Sequence, residues 1–121
     1  MDNYKKFEDI TEENISDWKS TKKKVTQISV AIDEDDVSSA GPTAKFVICQ
    51  PDRNVLEATA RASSEKNYSK ANKLMKTNCI LGGDMKYIEA GSADFNLEIE
   101  LEVLDQIGLL VEKKKAAVKK L

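Results

Sequence analysis

Ile28, Val30 and Ile32 alternate with Gln27, Ser29 and Ala31, the period of two expected of a half-buried strand. Ala44, Phe46 and Ile48 alternate again, but Val47 and Cys49 make the opposite face apolar as well, which predicts a more deeply buried strand. A polar loop of about ten residues joins the two, and an antiparallel hairpin is the simplest pairing. Pro51 then closes the second strand, because it cannot donate to a ladder and suits the opening of a helix. Asp52 adds negative charge where the helix dipole favours it. Val55, Leu56, Ala58, Thr59, Ala60 and Ala62 predict a helix with a small-residue face, suited to close packing on a sheet. Ser63 to Asn67 interrupts it, and Ser69 is placed to cap a second helix with apolar positions Ala71, Leu74, Met75 and Cys79.

The pattern then breaks at Asn78-Cys79-Ile80-Leu81-Gly82-Gly83-Asp84, where an apolar triplet runs into an adjacent glycine pair. Both glycines are free to take positive φ. The stretch reads as a joint, with Ile80 and Leu81 anchored in the core and the glycines setting the exit angle of the terminal segment. Met85 to Ala90 is a short, extended connector. From Ser92 two periods compete. Phe95, Leu97, Ile99, Leu101 and Val103 alternate as a strand would, whereas Leu101, Leu104, Ile107, Leu110 and Val111 keep helical spacing. Ser92 as cap, Asp94 in the first turn and the abundance of Glu, Leu and Lys favour one helix from about 93 to 119, with a strand over 94–101 as the alternative. At 1.5 Å per residue such a helix is about 40 Å long, so its last turns would project beyond a domain of this size.

At the other end, Thr11 can cap a short helix, with Asn14 closing a capping box and Ile10, Ile15 and Trp18 supplying the apolar side. Docking of Trp18 on the body is favoured over an exposed tryptophan awaiting a partner. The fold expected is α+β: an antiparallel β-hairpin packed against two short helices, followed by a long C-terminal helix. Residues 1–23 form a polar arm, partly helical or mobile, and residues 24–121 a single α+β domain ending in a long amphipathic helix.

Composition narrows the function classes. A length of 121 residues suits one domain with one core. A net charge of -2 argues against a general nucleic-acid binder, which needs a basic face. Acidic residues crowd the N-terminal region and Asp33 to Asp36, while lysines crowd the C-terminus. The absence of histidine removes the commonest general base and metal ligand. Ser38, Ser39, Thr43 and the cysteines have no histidine to activate them. The carboxylates lie in polar runs without the apolar surroundings that raise a pKa for acid catalysis. The run Asp33 to Asp36 lacks the glycine and closing glutamate of a calcium loop, and Gly82-Gly83 lacks the lysine and hydroxyl of a phosphate-binding loop. Cys49 and Cys79 sit in apolar runs as small core residues. Asn67-Tyr68-Ser69 matches a glycosylation sequon without a secretory signal to make it meaningful. No stretch approaches the roughly 20 apolar residues of a membrane span. The residues predict a soluble, intracellular protein with neither enzymatic activity nor cofactor.

In order along the chain, Phe46-Val47-Ile48-Cys49-Gln50-Pro51-Asp52-Arg53, the Val55-Leu56-Glu57-Ala58 helix, Asn78 to Asp84 and the ending Leu110 to Leu121 resemble a family. It is the bacteriophage or prophage tail assembly chaperones of the small α+β type. The resemblance covers roughly residues 24–121. It departs at Ile80, where the family often has an aromatic residue, and in the longer first loop. It implies a non-enzymatic protein of the bacterial host cytoplasm that coats the long tape-measure protein, or another tail protein, during tail assembly and then leaves. It implies no nucleic-acid or membrane partner and leaves room for self-association. A projecting amphipathic helix would supply the contacts by helix-in-groove packing, through Ile107, Leu110, Val111, Val118 and Leu121, although the first three suit the core equally well. The competing readings are a structural or adaptor subunit retained in the virion, and a small bacterial protein-interaction module.

Overall fold

The computed structural model describes residues 5–32, 43–111 and 116–121. The acidic run from Asp33 and the lysines at 113–115 lie outside the described residues. Helices and one antiparallel sheet share a single core, an α+β fold. After a 3-10 turn at Phe7–Asp9 come helix α1 (Glu12–Thr21) and strand β1 (Thr26–Ala31). Strand β2 (Thr43–Ile48), helix α2 (Arg53–Ser64) and helix α3 (Tyr68–Cys79) come next. Strand β3 (Ile80–Gly83), a 3-10 turn at Met85–Tyr87 and helix α4 (Leu97–Leu109) complete the described elements.

The sheet order is β1-β2-β3. β1 and β2 form the expected hairpin, with Thr26 opposite Ile48 and Ala31 opposite Thr43. β2 is the middle strand, which is why Phe46, Val47 and Ile48 are all buried and why its sequence is apolar on both sides. The glycine pair is part of this sheet. Ile80, Leu81 and the two glycines form β3, antiparallel to β2, with an irregularity in register between Val47 and Ile48. The expected joint at Asn78 to Asp84 is thereby corrected: Asn78 and Cys79 end α3, and Ile80–Gly83 are a paired strand. Ile80 and Leu81 are buried as expected. Only Gly83 of the pair has positive φ, at +146°. A Cβ there would stand 2.5 Å from the Lys45 carbonyl oxygen and 2.7 Å from Phe46 Cα, so the close approach to β2 requires glycine.

Local capping chemistry sets the helix starts. The Thr11 hydroxyl accepts from the Asn14 N–H at 3.2 Å and the Asn14 carboxamide oxygen accepts from the Thr11 N–H at 2.9 Å, completing the capping box. Asp52 Oδ1 accepts from the Val55 N–H at 2.9 Å. For α3 the cap is Asn67, accepting from the Lys70 N–H at 3.2 Å, and not Ser69. For α4 it is Asn96, accepting from the N–H groups of Glu98 and Ile99, and not Ser92. The connector after β3 is a 3-10 turn with Met85 and Ile88 buried, rather than extended chain.

The N-terminal arm docks. Trp18 is 3% exposed within the core, and Phe7, Ile10 and Ile15 pack against that core. Asp84 fastens the 3-10 turn before α1 to the sheet: Oδ1 accepts from the Phe7 N–H at 3.1 Å and Oδ2 from the Lys45 N–H at 3.0 Å.

The terminal helix is shorter than its pattern. α4 spans Leu97–Leu109, so the expected helix over 93–119 and the alternative strand over 94–101 are both corrected. Its last turn tightens, with the Leu110 N–H donating to the Ile107 carbonyl and the Val111 N–H to the Gly108 carbonyl. Lys24 Nζ donates to the Leu110 carbonyl at 2.8 Å, placing positive charge at the negative end of the helix dipole. Residues 116–121 are exposed and have no regular structure.

Candidate functional site

α4 packs one face against β1, α3 and the 3-10 turn before it. Ile99, Val103 and Ile107 point into the core from that face, each no more than 1% exposed, and Leu110 packs beside them. A turn of about 100° per residue places Leu97, Leu101, Leu104, Gly108 and Val111 along an adjoining face. Leu97 is 56% exposed, Leu101 48% and Val111 41%, and Leu104 is half-buried. Two neighbouring apolar faces on one helix explain the strand-like alternation in the sequence: Ile99 and Val103 serve the core, Leu97 and Leu101 face outward. The outward stripe is the candidate functional site.

The residues selected from sequence divide between these faces. Ile107 is wholly buried and is therefore core, and Leu110 largely so. Val111 stands at the end of the outward stripe. Val118 and Leu121 are exposed beyond the helix, so the structure does not join them to Ile107 and Leu110 on one helical surface. Sequence reasoning passed over Leu97 as a surface residue, and the signal for it was the spacing Leu97, Leu101, Leu104, Gly108, Val111.

The charge on α4 is one-sided. The helix carries Glu98, Glu100, Glu102 and Asp105 and no lysine or arginine. Glu100 turns inward and accepts from Lys76 Nζ at 2.7 Å. Glu102 accepts from the Gln106 side chain at 2.8 Å. Glu98 and Asp105 border the outward stripe, and among the described residues no lysine or arginine pairs with either.

Two concave regions elsewhere offer less. A cleft of about 680 Å³ beside the N-terminal turn has several of its charges already engaged. There Lys5 pairs with Glu89, Lys45 lies over the Phe7 ring at 5.6 Å, and Asp84 is held by the two backbone N–H groups described above. A smaller cleft of about 440 Å³ reaches Cys49. The Cys49 N–H donates to the Cys79 carbonyl at 2.9 Å, the Cys49 thiol lies 3.7 Å from the Asn78 carbonyl oxygen, and both cysteines are buried. The Cys79 thiol, hydrogen-bonded to the Cys49 sulfur and buried, is pushed far above its ordinary pKa. It is held neutral, the opposite of a reactive thiol. Among the described residues no three metal-ligating side chains converge, and no helix is long and apolar enough to cross a membrane. No protein-family model, curated protein or solved structure matches the chain.

Proposed function

We propose that this chain is a non-enzymatic tail assembly chaperone of a bacteriophage or prophage, binding the tape-measure protein in the bacterial cytoplasm while the tail is built. One observation carries the reading beyond the ordered sequence resemblance. A helix packed on the core by one face presents a leucine stripe whose Leu97 and Leu101 are left exposed by the described residues of the chain. Exposed apolar stripes of this kind mark sites of protein interaction. A chaperone for a long helical client needs many weak, reversible contacts that shield apolar helix surface, and a helix face supplies them.

Co-expression with fragments of a phage tape-measure protein from the same genome tests the reading. Co-purification of the fragments, with increased soluble yield, is expected; neither effect would contradict it. Mass spectrometry of purified virions separates a departing chaperone from a retained subunit. Stoichiometric protein in the particle would favour the structural or adaptor role instead.

A further inference from the structure

The outward stripe has a register. Leu97, Leu101, Leu104, Gly108 and Val111 are spaced four, three, four and three residues apart, the seam spacing of a coiled coil. Leu101 and Gly108 take the a positions of the heptad, and Leu97, Leu104 and Val111 the d positions. Glu98 and Asp105 then fall at the flanking e positions, the flank open to a partner, while the g positions, Glu100 and Ile107, are turned into the core. A Cβ built on Gly108 meets nothing within 4 Å, so the seam contains an open notch between Leu104 and Val111.

We infer that this face receives a single amphipathic helix from another protein, with apolar a and d residues and lysine or arginine at its flanking positions. This rests on the reading of the chain as a binder of a helical client. The charge arrangement selects the partner. Two copies of α4 in parallel would set Glu98 and Asp105 against Glu100 and Ile107, and in antiparallel against one another. Neither pairing offers a positive charge: the first meets the inward-turned acid Glu100 and the buried Ile107, and the second opposes exposed acid to exposed acid. A partner with basic flanks reverses that sign, and an unbranched or aromatic side chain on it fits the notch at Gly108.

The test uses the full chain and two synthetic peptides of about three heptads, both with leucine at a and d. One carries lysine at e and g, the other glutamate, and binding is followed by fluorescence anisotropy. The lysine peptide is expected to bind at least tenfold more tightly, with the gap narrowing in high salt. Leu101→Glu lowers that affinity at least tenfold while circular dichroism shows unchanged folding, as its outward position allows. The double variant Glu98→Lys/Asp105→Lys inverts the preference between the peptides. Equal binding of both peptides, binding of neither, or no inversion in the double variant would overturn the inference. So would concentration-dependent dimerisation that Leu101→Glu abolishes, because the basic tail of a second copy would then be the occupant. The broader reading fails separately. Tape-measure fragments captured undiminished by the Leu101→Glu variant would preserve the chaperone and remove this surface from it. Peptide binding without any tape-measure capture would preserve the surface and remove the chaperone.

Discussion

Lys76 Nζ donates to Glu100 Oε2 at 2.7 Å across the α3–α4 interface, with side chains only 23% and 11% exposed. The same ammonium lies 3.4 Å from the Ile88 carbonyl oxygen, so one lysine ties together α3, the turn before α4 and α4 itself. Glu100 borders the buried face of the helix, and holding it inward fixes the rotation that leaves Leu97 and Leu101 outside. Replacing Lys76 by methionine leaves a mostly buried carboxylate without its counter-charge. Urea denaturation should show a loss of about 2–4 kcal/mol. The Lys76→Met/Glu100→Leu double variant should regain most of it, since an apolar pair avoids both desolvation penalties. A double variant no more stable than Lys76→Met alone would show that the cost lies in packing of the lysine stem.

Gly83 and Gly91 both have positive φ but different surroundings. At Gly91, with φ +91°, an added Cβ meets nothing within 4 Å, so Gly91→Ala should cost about 1 kcal/mol from backbone conformation alone. At Gly83 the same substitution adds a clash with β2 backbone, and the loss should exceed about 3 kcal/mol. Thermal melts of the two variants side by side decide the matter. Equal shifts would mean that β3 can move away from Lys45 and Phe46.

The end of α2 is closed by a residue in a conformation that favours glycine. Lys66 has φ +61°, its N–H donates to the Ser63 carbonyl at 2.9 Å, and the Asn67 N–H reaches the Ala62 carbonyl at 2.8 Å. This is the helix-ending motif in which glycine normally occupies the left-handed position. Lys66→Gly is therefore expected to stabilise the protein by about 0.5–1 kcal/mol, raising its urea midpoint. A lower midpoint would refute the strain.

The hydrogen bond to Cys49 and burial both push the Cys79 pKa up, whereas for Cys49 the bond accepted from Cys79 outweighs burial and lowers it. The sign for Cys79 comes from proton counts. An unfolded thiol loses its proton near about pH 8.5 while the folded one keeps it. The stabilisation is complete below that value and declines as pH rises above it, by up to about 1.4 kcal/mol per pH unit. The lowered Cys49 adds no further change once the unfolded thiol is ionised. Stability measured from about pH 8.5 to 9.5, below the ordinary tyrosine and lysine range, should therefore fall for the native chain and less steeply for Cys49→Ala/Cys79→Ala. Parallel curves would contradict a neutral Cys79.

The hairpin, the opening of α2 at Pro51-Asp52 and the docking of Trp18 were legible because each has a local signal: a period of two, a proline followed by an acid, an apolar side to a capped turn. β3 was not. At four residues it is too short to show a period, and its glycines look like a breaker until β2 is beside them. The start of α4 was displaced because Ser92, Asp94 and Asn96 are all competent caps, and burial of Ile99, Val103 and Ile107 chooses among them. Its end was overrun because lysine and alanine favour helix intrinsically, whereas the regular helix stops where its core contacts run out near Leu110. The candidate site was half visible. Helical spacing marked Leu101, Leu104 and Val111, but only the packed fold separates them from Ile107.

The most direct measurement is co-purification of the tape-measure protein with the native chain and with Leu101→Glu, from matched co-expressions. Recovery of soluble tape-measure protein with the native chain, reduced at least tenfold by a variant that still folds, is the expected result. Equal recovery with both, or none with either, would contradict a tail chaperone acting through the outward face of α4.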